Sequence, residues 1–185
     1  MLLADHLRTC ARANRLANHR LHVALASLAA AEFEAPRVGF FPSLAATLNH
    51  ILAVDIYYLA ALHGEADMVA QYDAFVPCRD VAELASRQRL ADERVIGFAQ
   101  RLDEAGVMAE IVMDRGATRQ VDRAAHVLAH LFMHQTHHRG QAHAMLSGTA
   151  VAPPQLDEFL MPSDAPLRAA DMRSLGWTER DLFGA

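Results

Sequence analysis

The chain has 185 residues, 52% of them hydrophobic and 21% charged, with a formal net charge of −5 when histidines are neutral. One domain of this size buries a full core without disulfides or a structural metal, and the acidic balance gives no general attraction to nucleic-acid phosphates or anionic lipid. All 17 basic residues are arginine, which excludes lysine Schiff-base chemistry and a P-loop lysine.

Alanine and leucine prevail over valine, isoleucine and threonine, as suits helices better than sheets. A first helix is predicted from Leu3 to about Ala31, with Leu7, Ala11, Leu16, Leu21, Leu25 and Leu28 on one stripe. Arg8, Arg12 and Arg15 read as its solvated face. The opening residues mix acid and base early and carry no long apolar run. Neither a signal peptide nor a membrane span is expected, and a cytoplasmic location follows. Glu34-Ala35-Pro36-Arg37-Val38-Gly39 breaks the helix.

Ser43 is the predicted N-cap of a second helix, Leu44 to Leu62, which stops near Gly64. Residues 65–78 read as an irregular link with room for one helical turn. Asp80-Val81-Ala82-Glu83 is a capping box opening a third helix that runs to about Glu104 and ends at Gly106. Ile111, Val112 and Met113 before Asp114-Arg115-Gly116 predict a short strand or hairpin. Asp122 is placed as the cap of a fourth helix reaching Ser147-Gly148, and Pro153-Pro154 stops any continuation. The expected architecture is all-α: a four-helix bundle with a short hairpin before its last long helix. It forms a single domain over 1–185, with a core of about 3–148 and a tail, 149–185, packed on it. Cys10 and Cys78 lie far apart and read as packed, reduced thiols.

The fourth helix carries six of the 11 histidines: His126, His130, His134, His137, His138 and His143. Residues four apart on a helix differ by only about 40° in direction, so His134 and His138 present ring nitrogens to one point. Helical His-x-x-x-His pairs hold zinc and similar ions in this way. His130 with His134 is a rival pair, whereas His126 has turned too far to share an ion with His138. His137 reads as a supporting or surface residue, and His6, His19, His22, His63 and His143 as surface or edge positions.

A third ligand has to come from another helix, and His50 is the candidate, with Ala46, Thr47, Ala53 and Val54 one turn away. A lone inward histidine is more often a core residue bonded to a carbonyl. Together with the pair, it makes a three-histidine site with an open coordination position. Asp55 is the candidate catalytic residue, either as a proton acceptor there or as the carboxylate orienting a ligand imidazole; an ordinary ion pair with Arg139 is the other reading. Gly140, in mid-helix, suggests close approach of a neighbouring helix or a substrate. Tyr57 and Tyr58 are candidates to line the pocket or the core. Gly-x-Gly-x-x-Gly, Walker, Gly-x-Ser-x-Gly and His-Glu-x-x-His sequences are absent.

The segments Leu48-Asn49-His50-Ile51-Leu52-Ala53-Val54-Asp55 and His130-Leu-Phe-Met-His134-Gln-Thr-His137-His138-Arg139-Gly140-Gln141 resemble the two signature regions of the DinB/YfiT-like family of metal-dependent bundle proteins. That group is distinct from the similarly named DNA polymerase. The resemblance spans the first helix to about Leu160, and its His-His-Arg-Gly-Gln core is specific. It implies that His50, His134 and His138 bind one divalent metal. It also implies a homodimer, and transferase or isomerase chemistry using a small thiol such as mycothiol, bacillithiol or glutathione. Met133 stands where the motif often has asparagine, which bears on a supporting hydrogen bond and not on the ligands.

The function expected is that of a metal-dependent enzyme, a thiol-dependent transferase or isomerase acting on a small molecule, with zinc, nickel and iron all compatible with imidazole ligands. A non-catalytic metal-binding or stress-response protein is the second reading and a metal-free dimerisation module the third. A homodimer through helix faces is expected also because apolar surface exceeds what one core consumes, with the tail residues Leu156, Phe159, Leu160 and Trp177 as the alternative cover. Neither nucleic acid nor a membrane is an expected partner.

Overall fold

A computed structural model describes residues 2–183. Among these residues lie eight α-helices and one two-stranded sheet. The helices are α1 (Leu3–Leu25), α2 (Ala30–Glu34), α3 (Leu44–Leu62), α4 (Met68–Asp73), α5 (Val81–Gln100), α6 (Ala124–Leu146), α7 (Ala165–Leu175) and α8 (Glu179–Phe183). Strands β1 (Glu110–Asp114) and β2 (Arg119–Arg123) pair antiparallel in the register Glu110 to Arg123 and Asp114 to Arg119. The four long helices make the core: α1 packs on α5 and α6, and α3 packs on both of the same helices. Leu7, Leu21, Leu52, Leu84, Val95, Leu128 and Leu131 meet between them. The long apolar stretch of α3 is 72% buried inside the protein, so its hydropathy is that of a core helix.

Local signals place several boundaries as expected. Ser43 Oγ accepts from Ala46 N at 3.1 Å, and Asp80 Oδ1 from Glu83 N at 2.8 Å. Each hydrogen bond satisfies an otherwise orphaned N–H of a first helical turn. Gly64 takes the left-handed conformation, φ 64°, just past the end of α3.

Other boundaries move. The first helix ends at Leu25 and not near Ala31. Ser27 N and Leu28 N bond back to Ala24 O and Leu25 O, tightening the end, and the separate α2 buries Phe33 against the core. The third helix ends at Gln100 and not at Glu104, because Arg8 of α1 donates to the carbonyls of Ala99 and Leu102 at its C-terminus. Arg15 is buried rather than solvated. Asp122 belongs to β2; the residue before α6 is Arg123, which makes no side-chain cap.

The C-terminal segment packs on the outer side of α1. Phe159, Met172 and Leu182 form a second apolar cluster with Leu16 and Ala17. Arg168, fully buried there, is tied to Glu179 and to the carbonyls of Phe159 and Met161. Cys10 and Cys78 are unpaired.

A Cβ built on Gly140 meets nothing within 4 Å, so close approach of a neighbouring helix does not account for this glycine. Gly140→Ala is expected to raise stability by about 0.5–1 kcal/mol through helix propensity. Denaturant unfolding checks this, and a lower midpoint would reveal a packing demand on that face.

Candidate metal centre

The register between α3 and α6 sets His50 opposite His134 and His138. One ring nitrogen from each of the three lies within 4.8 Å of the others. His50 Nε2 and His134 Nε2 are 3.0 Å apart, and the ring centroids are 4.5 to 5.0 Å from one another. An ion held by imidazoles at about 2.0–2.1 Å sets adjacent ligand nitrogens roughly 2.9–3.3 Å apart, from right-angled to tetrahedral geometry. The His50–His134 spacing fits that range.

Protonation favours the same use. Burial first, then the nearby His138, push His134 down to about 4. Burial also lowers His50 and His138. At neutral pH all three rings are uncharged and offer a lone pair, the form a metal requires.

Supporting contacts set the tautomer. His138 Nδ1 donates to Gln141 Oε1 at 2.8 Å, leaving Nε2 as the acceptor, while Gln141 Nε2 donates to His137 Nε2 at 3.1 Å. Such partners orient ligand imidazoles. His134 Nδ1 is buried without a hydrogen-bond partner, and Met133, turned outward and 70% exposed, does not supply one. Phe41 packs over the cluster, its ring 4.5 Å from that of His50 and 5.6 Å from that of His138.

Gln141 and Phe41 both escape the sequence reading. Gln141 is signalled by lying three residues after His138 on the same helix face. Nothing in Gly39-Phe40-Phe41-Pro42 signals its loop, because only the folded chain lays it over α3.

Asp55 does not join the histidines. No hydrogen bond links it to His50 and no direct ion pair links it to Arg139 among the described residues. It lies instead in a buried polar layer to which all four long helices contribute. Asp55 Oδ2 accepts from Gln88 Nε2 at 2.7 Å and from Gln135. Asp92 Oδ1 accepts from Asn18 at 2.8 Å and from Gln88 at 3.2 Å. Arg139 Nη1 donates to Asn14, Asn18 and Gln135 at 2.6, 2.9 and 3.1 Å. The partners of Asp55 lie 33 and 80 residues away in sequence, which hides this layer from a reading of single helices; Asp55 follows His50 by only five residues yet faces different partners.

Burial holds Asp55 well above the usual carboxylate range and pushes Asp92 up to about 7. Unfolded aspartate titrates near 3.9. Between pH ~4 and ~7 the folded protein therefore keeps a proton on Asp92 that the unfolded chain has lost, so this group's contribution makes stability fall as pH rises through that window. Asp92→Asn, which retains an acceptor for Asn18 and Gln88, is expected to gain on the wild type from pH 5 to pH 8. Paired denaturant titrations at the two values check it; a constant difference would refute it.

The remaining histidines separate. His126 bonds Asp122 at 2.7 Å, and His143 bonds the Pro154 carbonyl at 2.9 Å. His130 packs its ring on Tyr58, 5.2 Å between centroids, and lies outside the three-histidine cluster. His22 is buried, not at a surface or edge, and burial drives it down to about 3. Tyr57 and Tyr58 combine both expected roles: they are buried and they line a cavity that also includes His130 and His134.

A family model described as DinB family matches residues 3–171. No curated protein matches the chain.

Proposed function

The chain belongs to the DinB family, and from that premise we propose that it is a metal-dependent enzyme, a transferase or isomerase that uses a small thiol, built on a four-helix bundle of α1, α3, α5 and α6. The observation that carries this reading is the convergence of His50, His134 and His138 from two helices onto one point. Three neutral imidazoles, with no fourth protein donor in the cluster among the described residues, suit an open rather than a closed coordination shell.

A divalent ion bound there supplies Lewis acidity and acidifies a proton-bearing group entering its open position. The chain's own residues supply the rest. Gln141 holds His138 in the ligating tautomer, and Phe41 excludes water from one side of the cluster. His130, on the wall of the adjoining cavity, is placed to exchange a proton with a bound molecule. Asp55 acts at a distance, steadying α3 against α5 and α6. We assign the protein to the cytoplasm.

The test begins with elemental analysis of protein purified without a metal-affinity tag, followed by cobalt substitution and titration with glutathione. One divalent ion per chain and a thiol-dependent change in the cobalt absorption bands are expected. A cobalt spectrum indifferent to thiols would move the reading to a non-catalytic metal-binding protein, and absence of metal binding would end it. A two-fold homodimer is part of the same proposal, supported by exposed Leu2 and Leu3 at the start of α1. Light scattering showing the mass of one chain would remove it.

A further inference from the structure

We propose that the cavity beside His134 recognises a small molecule with a flat apolar body and a carboxylate, and that Arg115 on the turn between β1 and β2 binds that carboxylate. The proposal rests on the metal-centre reading for the role of His134, since it places the far end of the molecule there. The cavity measures about 370 Å³, within the size range of small-ligand sites. Tyr57, Tyr58 and Tyr72 form its aromatic wall, with His130 and His134 on one side and Arg115 on another.

The turn fixes where the guanidinium sits. Arg115 N donates to Thr118 O at 2.8 Å, and Gly116, at φ 76°, donates its N–H to Asp114 Oδ1 at 2.8 Å. The guanidinium carbon then lies 5.0 Å from the Tyr57 ring centroid and 5.5 Å from that of Tyr58. Its Nη2 donates to Tyr58 Oη at 3.1 Å and to Gln120 Oε1 at 3.3 Å. No carboxylate pairs with Arg115 among the described residues. Asp114 also lines the cavity, but its carboxylate caps Gly116 and its carbonyl accepts from Tyr57 Oη at 2.5 Å.

A positioned guanidinium lacking a counter-ion, in a chain of net charge −5, is a local anion site. Its fork geometry selects a carboxylate, and the tyrosines, set edge-to-face at interplanar angles of 83° and 82°, offer ring faces and edges to a flat apolar body. From Tyr58 the rings of His130 and His134 follow at steps of 5.2 and 6.3 Å. A compact molecule anchored at Arg115 thus spans the cavity toward the three histidines.

The probe is 3-phenylpropionate, titrated calorimetrically against the protein as purified, with 3-phenylpropionamide as the uncharged control. The acid is expected to bind about tenfold tighter than the amide, and Arg115→Gln to abolish that preference. Arg115 is on an exposed turn, so the variant should keep the wild-type melting midpoint and metal content. Equal binding of acid and amide, a preference that survives Arg115→Gln, or no binding of either compound would each overturn the proposal. Metal content measured on the same samples separates the two readings: an ion retained without acid preference refutes the pocket alone, and Arg115-dependent binding by a protein that takes up no metal refutes the metal centre alone.

Discussion

Arg139→Ala should cost about 3–5 kcal/mol of folding stability, the range seen when one member of a buried charged network is removed. Arg139 is almost completely buried, and burial brings its guanidinium down only to about 10, so it stays charged at neutral pH. Its loss leaves the side-chain oxygens of Asn14, Asn18 and Gln135 without their shared donor. It also removes a positive charge whose field lowers both Asp55 and Asp92. Both carboxylates already have one buried oxygen without a partner, Asp55 Oδ1 and Asp92 Oδ2. They would respond by holding protons more tightly, so the penalty should grow from pH 5 to pH 8. For a chain of this length the melting midpoint should fall by roughly 6–20 °C. Denaturant unfolding at both pH values checks the prediction; a loss below about 1 kcal/mol would show that the layer does not depend on its arginine.

The second large effect concerns metal affinity. His134→Ala is expected to weaken zinc binding roughly 100-fold or more, because two imidazoles rarely retain an ion against competing buffer. His134 meets both of the other members: its Nε2 faces His50 Nε2, and its ring stands 4.5 Å from that of His138. The protein itself should fold normally, since the ring is only partly buried and removing it relieves crowding among neutral imidazoles. Competition with a chelator measures the affinity. The melting midpoint gives an independent reading, because a ligand that binds only the folded state raises stability by mass action. Zinc should raise the wild-type midpoint and leave that of His134→Ala unmoved. Unchanged zinc affinity in the variant would defeat the assignment.

How far the sequence alone carries depends on the range of the interaction concerned. Helical period, the Ser43 and Asp80 caps and the stop at Gly64 are legible because each acts within one or two turns. The hairpin around Asp114-Arg115-Gly116 is legible for the same reason, and so is the shared face of His134 and His138. The placement of His50 opposite that pair is of a different kind. Its apolar neighbours point it inward, but only the packing of α3 against α6 sets the register that brings its Nε2 to His134.

Tertiary structure alone decided the rest. Asp55 goes to a polar layer because Gln88 and Gln135, from two other helices, offer it amide donors that no local pattern announces. Arg15 and His22 are buried by helices and charges remote in sequence, and Arg8 stops α5 by reaching its carbonyls from α1. Spacing along one helix is a local property of the backbone. Which polar side chain meets which partner across helices is set by the packing of all four, and there the single-helix pattern ends.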